Sequence, residues 1–99
     1  MTTLVLEADP AITDVHVDAD TLSVTLKDGR QLRVPLTWSP RLAAGSQTER
    51  ENWELLGNGY GVAWSDLDEH AGVEGLLAGR RSSEIRVSLE RWLRARAVT

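Results

Sequence analysis

Between Ile12 and Leu36 apolar side chains recur at every second position, and this period restricts the fold more than any other feature of the chain. Val15 and Val17 alternate with Asp14, His16 and Asp18; Leu22, Val24 and Leu26 alternate with Ser23, Thr25 and Lys27; Leu32, Val34 and Leu36 alternate with Gln31, Arg33 and Pro35. Successive side chains of a strand point to opposite faces, so the pattern predicts three antiparallel strands with one dry and one wet face. The dry face must be covered by whatever follows in the chain.

The turn between the second and third strands is constrained by the same rule, because cross-strand partners share a face. A two-residue Asp28-Gly29 loop sets Leu26 against Gln31, apolar against polar. A three-residue loop, Lys27-Asp28-Gly29, sets Val24 against Leu32 and Leu22 against Val34, with Gly29 in the left-handed position such loops use. The three-residue hairpin is therefore expected. Pro35 has no N–H to donate, which puts its strand at an edge or near its end.

Ser39 and Pro40 suit the N-cap and first position of a short helical turn ending near Gly45. Ser46 and Glu49 have capping-box spacing, and Trp53, Leu56 and the aliphatic part of Arg50 suggest a helix from residue 46 to about Leu56, closed by Gly57 at a left-handed C-cap. Gly61 to Leu67 is expected to form a fourth strand with Val62 and Trp64 on one face. Val73, Leu76 and Leu77 suggest a further helical turn ended by Gly79. Ser82 or Ser83 is expected to cap a last helix, on which Ile85, Leu89, Trp92 and Leu93 fall at i, i+4, i+7 and i+8. The whole describes a single α+β domain in the order β-β-β-α-β-α: an antiparallel sheet of about four strands with one face covered by helices. Residues 1–79 form its body, and residues 80–99 a basic amphipathic helix packed on that body or presented to a partner.

A chain of 99 residues fits one domain and buries about 60 to 65 % of its unfolded surface, enough for a modest core. The absence of cysteine removes disulfides, thiolate nucleophiles and zinc-thiolate sites, and leads to the expectation of a cytoplasmic protein. The opening MTTLVLEADP has no basic segment and its apolar run breaks at Glu7, so neither a signal peptide nor a membrane span is expected. The formal net charge of −4 conceals an asymmetry. Residues 1–79 hold five basic side chains against thirteen acidic ones, whereas residues 80–99 hold six arginines (80, 81, 86, 91, 94 and 96) against Glu84 and Glu90.

Candidate chemistry is sparse. In GNGYG, residues 57–61, the expected helix precedes the glycines and the strand follows, the reverse of a phosphate cradle, and the Walker lysine is missing; a tight turn is the better reading. The run DLDEH brings Asp66, Asp68, Glu69 and His70 close together, with both aspartates on one strand face. A hard metal needs further ligands, the only other histidine, His16, lies on the wet face of another strand, and the EF-hand spacing is not met. These four residues are expected to be a polar surface cluster, with no metal and no cofactor. No GxSxG marks a nucleophile. The four tryptophans suit a core better than a binding platform, Trp92 excepted, since it sits on the terminal helix. The basic tail has three uses: docking on its own acidic body, meeting a partner, or touching nucleic acid. Nucleic acid is not expected without a partner, because the chain as a whole is acidic. The candidate partner contacts are Arg86, Leu89, Trp92 and Leu93.

Several stretches resemble the bacterial family catalogued as domain of unknown function 2442. They are Asp28-Gly29-Arg30, Val34-Pro35-Leu36, Trp38-Ser39-Pro40-Arg41-Leu42, Trp53, Trp64, Leu67-Asp68-Glu69 and Gly75-Leu76-Leu77, and the likeness runs from about Ile12 to Gly79 and loosely through SLERWL. Two departures stand out: Gly45-Ser46-Gln47 replaces an Ala-Thr-Pro opening, and His70 stands where another acidic residue is frequent. The resemblance implies a small α+β domain. In some members it is joined to a C-terminal helix-turn-helix, for which residues 80–99 are too few. It also implies a gene beside that of another small protein, in arrangements like toxin and antitoxin pairs. It carries no catalytic residue over.

The expected function is a non-enzymatic protein-interaction module, in its sharpest form the antitoxin-like member of a two-protein system, whose partner is a small protein encoded nearby. A DNA-binding regulator acting as a homodimer is the alternative. A metal-dependent enzyme using Asp66, Asp68, Glu69 and His70 comes third.

Overall fold

The computed structural model describes residues 10–97, so the opening stretch that argued against a signal peptide lies, Pro10 apart, outside the described residues. The three alternating segments form one antiparallel sheet in chain order: β1 (Ile12–Val17), β2 (Thr21–Leu26) and β3 (Gln31–Pro35). Leu22 faces Val34 and Val24 faces Leu32, the register of the three-residue hairpin. The Leu26 N–H donates to the Arg30 carbonyl at 2.8 Å, and Gly29 takes the required positive φ of 93°. β3 lies at the edge of the sheet and stops at Pro35, as the missing donor demands. The strict period breaks once. A bulge between Ile12 and Asp14 inserts an extra residue, and this turns both Ile12 and Val15 toward the dry face.

A 3-10 turn over Leu36–Trp38 leads into α1 (Pro40–Ala44), with Ser39 at its N-cap position and Pro40 at its start. In α2 (Gln47–Glu51) both halves of the capping box form: Ser46 Oγ accepts from the Glu49 N–H, and the Glu49 carboxylate accepts from the Ser46 N–H. The helix ends there rather than near Leu56. The Asn52 N–H closes back on the Glu49 carbonyl and its side chain donates to Asp66 Oδ2 at 2.8 Å, which turns the chain out of the helix. Glu54–Leu56 then becomes β4, paired with β5 (Gly61–Trp64), and β5 in turn pairs with β6 (Glu69–Gly72). The single sheet of about four strands is thus replaced by two three-stranded antiparallel sheets in an α+β fold. Gly57 has the expected left-handed φ, at 56°, but serves the β4–β5 turn instead of a helix end. The fourth strand also stops at Trp64, because Ser65–Leu67 forms a 3-10 turn and Asp68 takes φ 49° before β6 begins. α3 (Val73–Leu77) and α4 (Arg86–Ala97) complete the fold.

Both sheets and the short helices share one core. The inner face of the first sheet meets Val62 and Trp64 of β5, with Leu42, Leu67, Val73 and Leu76 between them. Trp64 is the largest fully buried side chain, and its indole N–H donates to the Arg50 carbonyl at 3.0 Å, which satisfies the one polar atom it carries inside. Arg50 itself donates to the carbonyls of Leu42 and Ala43 at 2.9 and 2.8 Å, tying the end of α1 to α2.

The GNGYG segment is the β4–β5 turn of the second sheet, and it packs against the first. Gly59 has φ 92°, and a Cβ there would lie 2.6 Å from the Ile12 carbonyl oxygen, so the turn abuts the start of β1. Gly57 also has positive φ but faces open space. Gly59→Ala is expected to cost about 2–3 kcal/mol, and Gly57→Ala about 1 kcal/mol. Equilibrium urea unfolding of the two variants checks the difference, and equal losses would mean that the close approach to β1 does not restrain the turn.

Candidate functional site

Helix α4 is held to the body by polar contacts, and these determine which of its faces is free. The line turned inward runs through Ser88, Trp92 and Arg96, with Glu84 one turn earlier and Leu89 half-buried alongside. Arg41 of α1 donates through Nε to Glu84 Oε1 at 2.7 Å and forms a second bond to the same carboxylate through Nη2. Its Nη1 reaches the Asp68 carbonyl and carboxylate at 3.2 and 3.3 Å. Arg96 binds Glu49 through both terminal nitrogens, at 3.1 and 2.6 Å. Trp92 lies between the two cations, 4.9 Å from the Arg41 guanidinium and 4.7 Å from that of Arg96. Two cations on one indole face a negative quadrupole, and each is neutralised by its own carboxylate, so the stack is attractive throughout.

The expected apolar stripe is only partly the contact surface. Ile85 precedes the helix and is 67 % exposed, and Leu93 is 40 % exposed. The Arg86 side chain is exposed and pairs with Glu90 along the helix at 3.0 Å. The expected serine cap is also displaced: Ser82 Oγ accepts from the Glu84 N–H, ahead of the helix start at Arg86. Trp92 and Leu89 therefore face the body, while Arg86 and Leu93 face outward with Val87, Arg91 and Arg94.

The DLDEH residues do not converge. Asp66 accepts from Asn52, exposed Asp68 reaches Arg41, and Glu69 Oε2 accepts from Ser39 Oγ at 2.7 Å. Asp66 lies in the 3-10 turn, Asp68 follows it in a left-handed conformation and Glu69 opens β6, so the shared strand face expected for the two aspartates does not exist. His70 is exposed on β6. Among the described residues no group of three His, Cys, Asp or Glu side chains is placed to hold a metal ion.

A cavity that the sequence did not signal lies between β3, β6, α3 and residues 80–83. Its volume is about 260 Å³, it opens to solvent on one side, and Leu22, Val34, Leu36, Leu42, Trp64 and Leu76 line its floor. Ser39, Glu69, His70, Arg80, Arg81 and Ser82 also line it. Among the described residues no helix is long and apolar enough to cross a membrane.

The docking of α4 carries a pH signature. The Arg96 guanidinium, followed by the Ser46 N–H, holds the Glu49 carboxyl down from its ordinary 4.5 to about 2. Arg41 likewise holds Glu84 below the usual carboxylate range. In the unfolded chain both groups bind protons at higher pH than in the native chain, so their contribution is complete above pH 4.5 and is lost as pH falls toward about 2. The Trp92 indole resonance is expected to move toward its solvent-exposed position across that window, and earlier in Arg96→Ala. An unchanged resonance through the window would refute the ionic attachment.

The comparisons with known proteins agree with this architecture. A protein of unknown function from Rhodospirillum rubrum is 27 % identical over 77 % of this chain and 94 % of its own, with a TM-score of 0.67. An uncharacterised protein from Chromobacterium violaceum, 20 % identical over 90 % of this chain and 78 % of its own, has the same fold with a TM-score of 0.64. No curated protein matches the sequence. The family described as "Protein of unknown function (DUF2442)" matches residues 12–82, from β1 into the segment between α3 and α4, and the chain belongs to that family.

Proposed function

We propose that this domain is a non-enzymatic protein-interaction module whose partner lies against the outward face of α4. The observation that carries the reading is the division of α4 into two faces. The inward side spends Trp92 and Arg96 on the body. The outward side presents Arg86, Arg91 and Arg94 beside Val87, 60 % exposed, and Leu93, 40 % exposed. Among the described residues no ion pair engages Arg91 or Arg94. Exposed arginines interleaved with apolar side chains match an acidic, partly apolar surface, since arginine is favoured at interfaces and steers association with an acidic partner. In the two-protein arrangement that the family resemblance implies, that partner is a small protein encoded nearby, and this chain is the antitoxin-like member. The four earlier candidates then divide: Arg86 and Leu93 touch the partner, whereas Trp92 and Leu89 hold the helix in place.

Deleting residues 80–99 tests the tail but also strips Arg41 and Trp38 of their contacts, so charge reversal on the free face is the cleaner probe. In affinity capture from the native host with the neighbouring gene intact, the tagged chain is expected to retain a stoichiometric small acidic protein. Arg91→Glu/Arg94→Glu is expected to weaken that retention at least about tenfold, with thermal stability unchanged. Equal retention by the charge-reversed chain sinks the reading. Salt-sensitive binding of the chain's own promoter fragment, lost in the same variant, would instead support the dimeric DNA-binding alternative, which draws on the same arginines.

A further inference from the structure

We infer that the cavity between β3, β6, α3 and residues 80–83 binds a small apolar carboxylate, its hydrocarbon part against Val34, Leu36 and Leu76 and its anionic end at Arg80 and Arg81. The site lies on the inner side of residues 80–83, the strap between α3 and α4, and uses a surface separate from the outward face of α4. At about 260 Å³ the cavity falls just under the range of about 300–1,000 Å³ typical of small-molecule pockets. Its mostly apolar floor with a few polar groups to one side is the composition of such pockets.

The rim identifies the charge of the ligand. Among the described residues Arg80 has no ion pair, and Arg81 meets only the Trp38 ring, its guanidinium 5.5 Å from the ring centre. A guanidinium near an aromatic ring still has N–H groups free to meet the two oxygens of a carboxylate. Ser82 Oγ accepts from the Glu84 N–H, so its own proton is available to the same anion. Glu69 is the one acidic residue in the lining and is hydrogen-bonded by Ser39 Oγ and the His70 N–H, so the two arginines leave the lining with a net positive charge.

The strap that carries the two arginines is fixed in advance. The Arg80 N–H donates to the Gly75 carbonyl at 2.8 Å and the Gly79 N–H to that of Leu76 at 3.1 Å, with Gly79 at φ 75°, a Schellman end to α3. Two residues later the Ser82 N–H donates to the Trp38 carbonyl at 2.9 Å. The arginine backbones on both sides are thereby pinned, which lowers the ordering cost of binding.

The test titrates the ¹⁵N-labelled full chain with phenylacetate and, separately, with 2-phenylethanol, the same hydrocarbon without the charge. Phenylacetate is expected to give saturable shifts at Leu36, Gly72, Leu76 and Ser82 and at the Trp38 indole, and to bind at least about tenfold more tightly than the alcohol. Arg80→Ala/Arg81→Ala, at exposed positions, is expected to bring the acid down to the alcohol's affinity, and Leu76→Trp to block both. Equal affinities for acid and alcohol in the unaltered chain, shifts located elsewhere, or shifts that do not saturate would each overturn the assignment.

Discussion

The buried indole of Trp64 and the Arg50 carbonyl that receives its N–H form the contact on which the two halves of the domain depend. The three-stranded meander has one apolar face, which must be buried against another layer. Trp64 supplies area for that layer but brings a polar atom inside, and an unpaired indole N–H would offset much of the gain. The pairing fixes where α2 must pass. With Arg50 held there, its guanidinium reaches back to the last carbonyls of α1, so one residue closes the end of one helix and satisfies the second sheet. Trp64 is also part of the cavity floor, which ties the shape of that space to the same contact.

The parts of the fold legible in the sequence are those in which burial alternates with the local period. β2 is the clearest case: Leu22, Val24 and Leu26 are buried and the residues between them are not, and even the hairpin length follows from it. β4 and β6 leave no such trace. All three residues of β4 are exposed, so Leu55 and Leu56 carry no strand alternation, and Trp53 with Leu56 imitates a helical spacing. β6 is Glu69-His70-Ala71-Gly72, without a β-branched or large apolar residue; it is a strand because β5 beside it needs a partner, which is tertiary override of propensity. Its neighbour Asp68, left-handed without being glycine, marks where the chain is bent to permit that pairing.

The contact face of α4 was hidden for a different reason. A search for apolar period finds Ile85, Leu89, Trp92 and Leu93, but the body meets this helix with a cation at Arg41 and an anion at Glu49 as well as with the edge of the core under Trp92. The helix therefore turns Ser88, Trp92 and Arg96 inward, a line at i, i+4 and i+8 whose members are polar or amphipathic and so leave little hydrophobic signal. The charge asymmetry of the chain was visible, and it pointed to acidic body against basic tail. Half of the attachment inverts it, since Arg41 lies on the body and Glu84 on the tail. The partly exposed Arg96–Glu49 pair adds about 1 kcal/mol or less, and each cation–π contact a comparable amount, whereas the largely buried Arg41–Glu84 pair is costly to break by removing one partner. α4 is consequently held at two ionic points with Trp92 between them in sequence, and none of its residues is fully buried.

That attachment lies between the two surfaces proposed above. Residues 80–83 form one wall of the cavity and lead directly into Glu84, whose carboxylate is the anchor of α4 on Arg41. A carboxylate ligand that holds Arg80 and Arg81 in place favours the arrangement in which Ser82 is bonded to Trp38 and Glu84 can reach Arg41. A partner that binds α4 where it lies gains from the same arrangement, whereas one that lifts the helix must break it. Were both proposed surfaces occupied, linkage would make the effect reciprocal, ligand and partner changing each other's affinity by the same factor, whose sign would report whether the partner reads α4 in place or removes it.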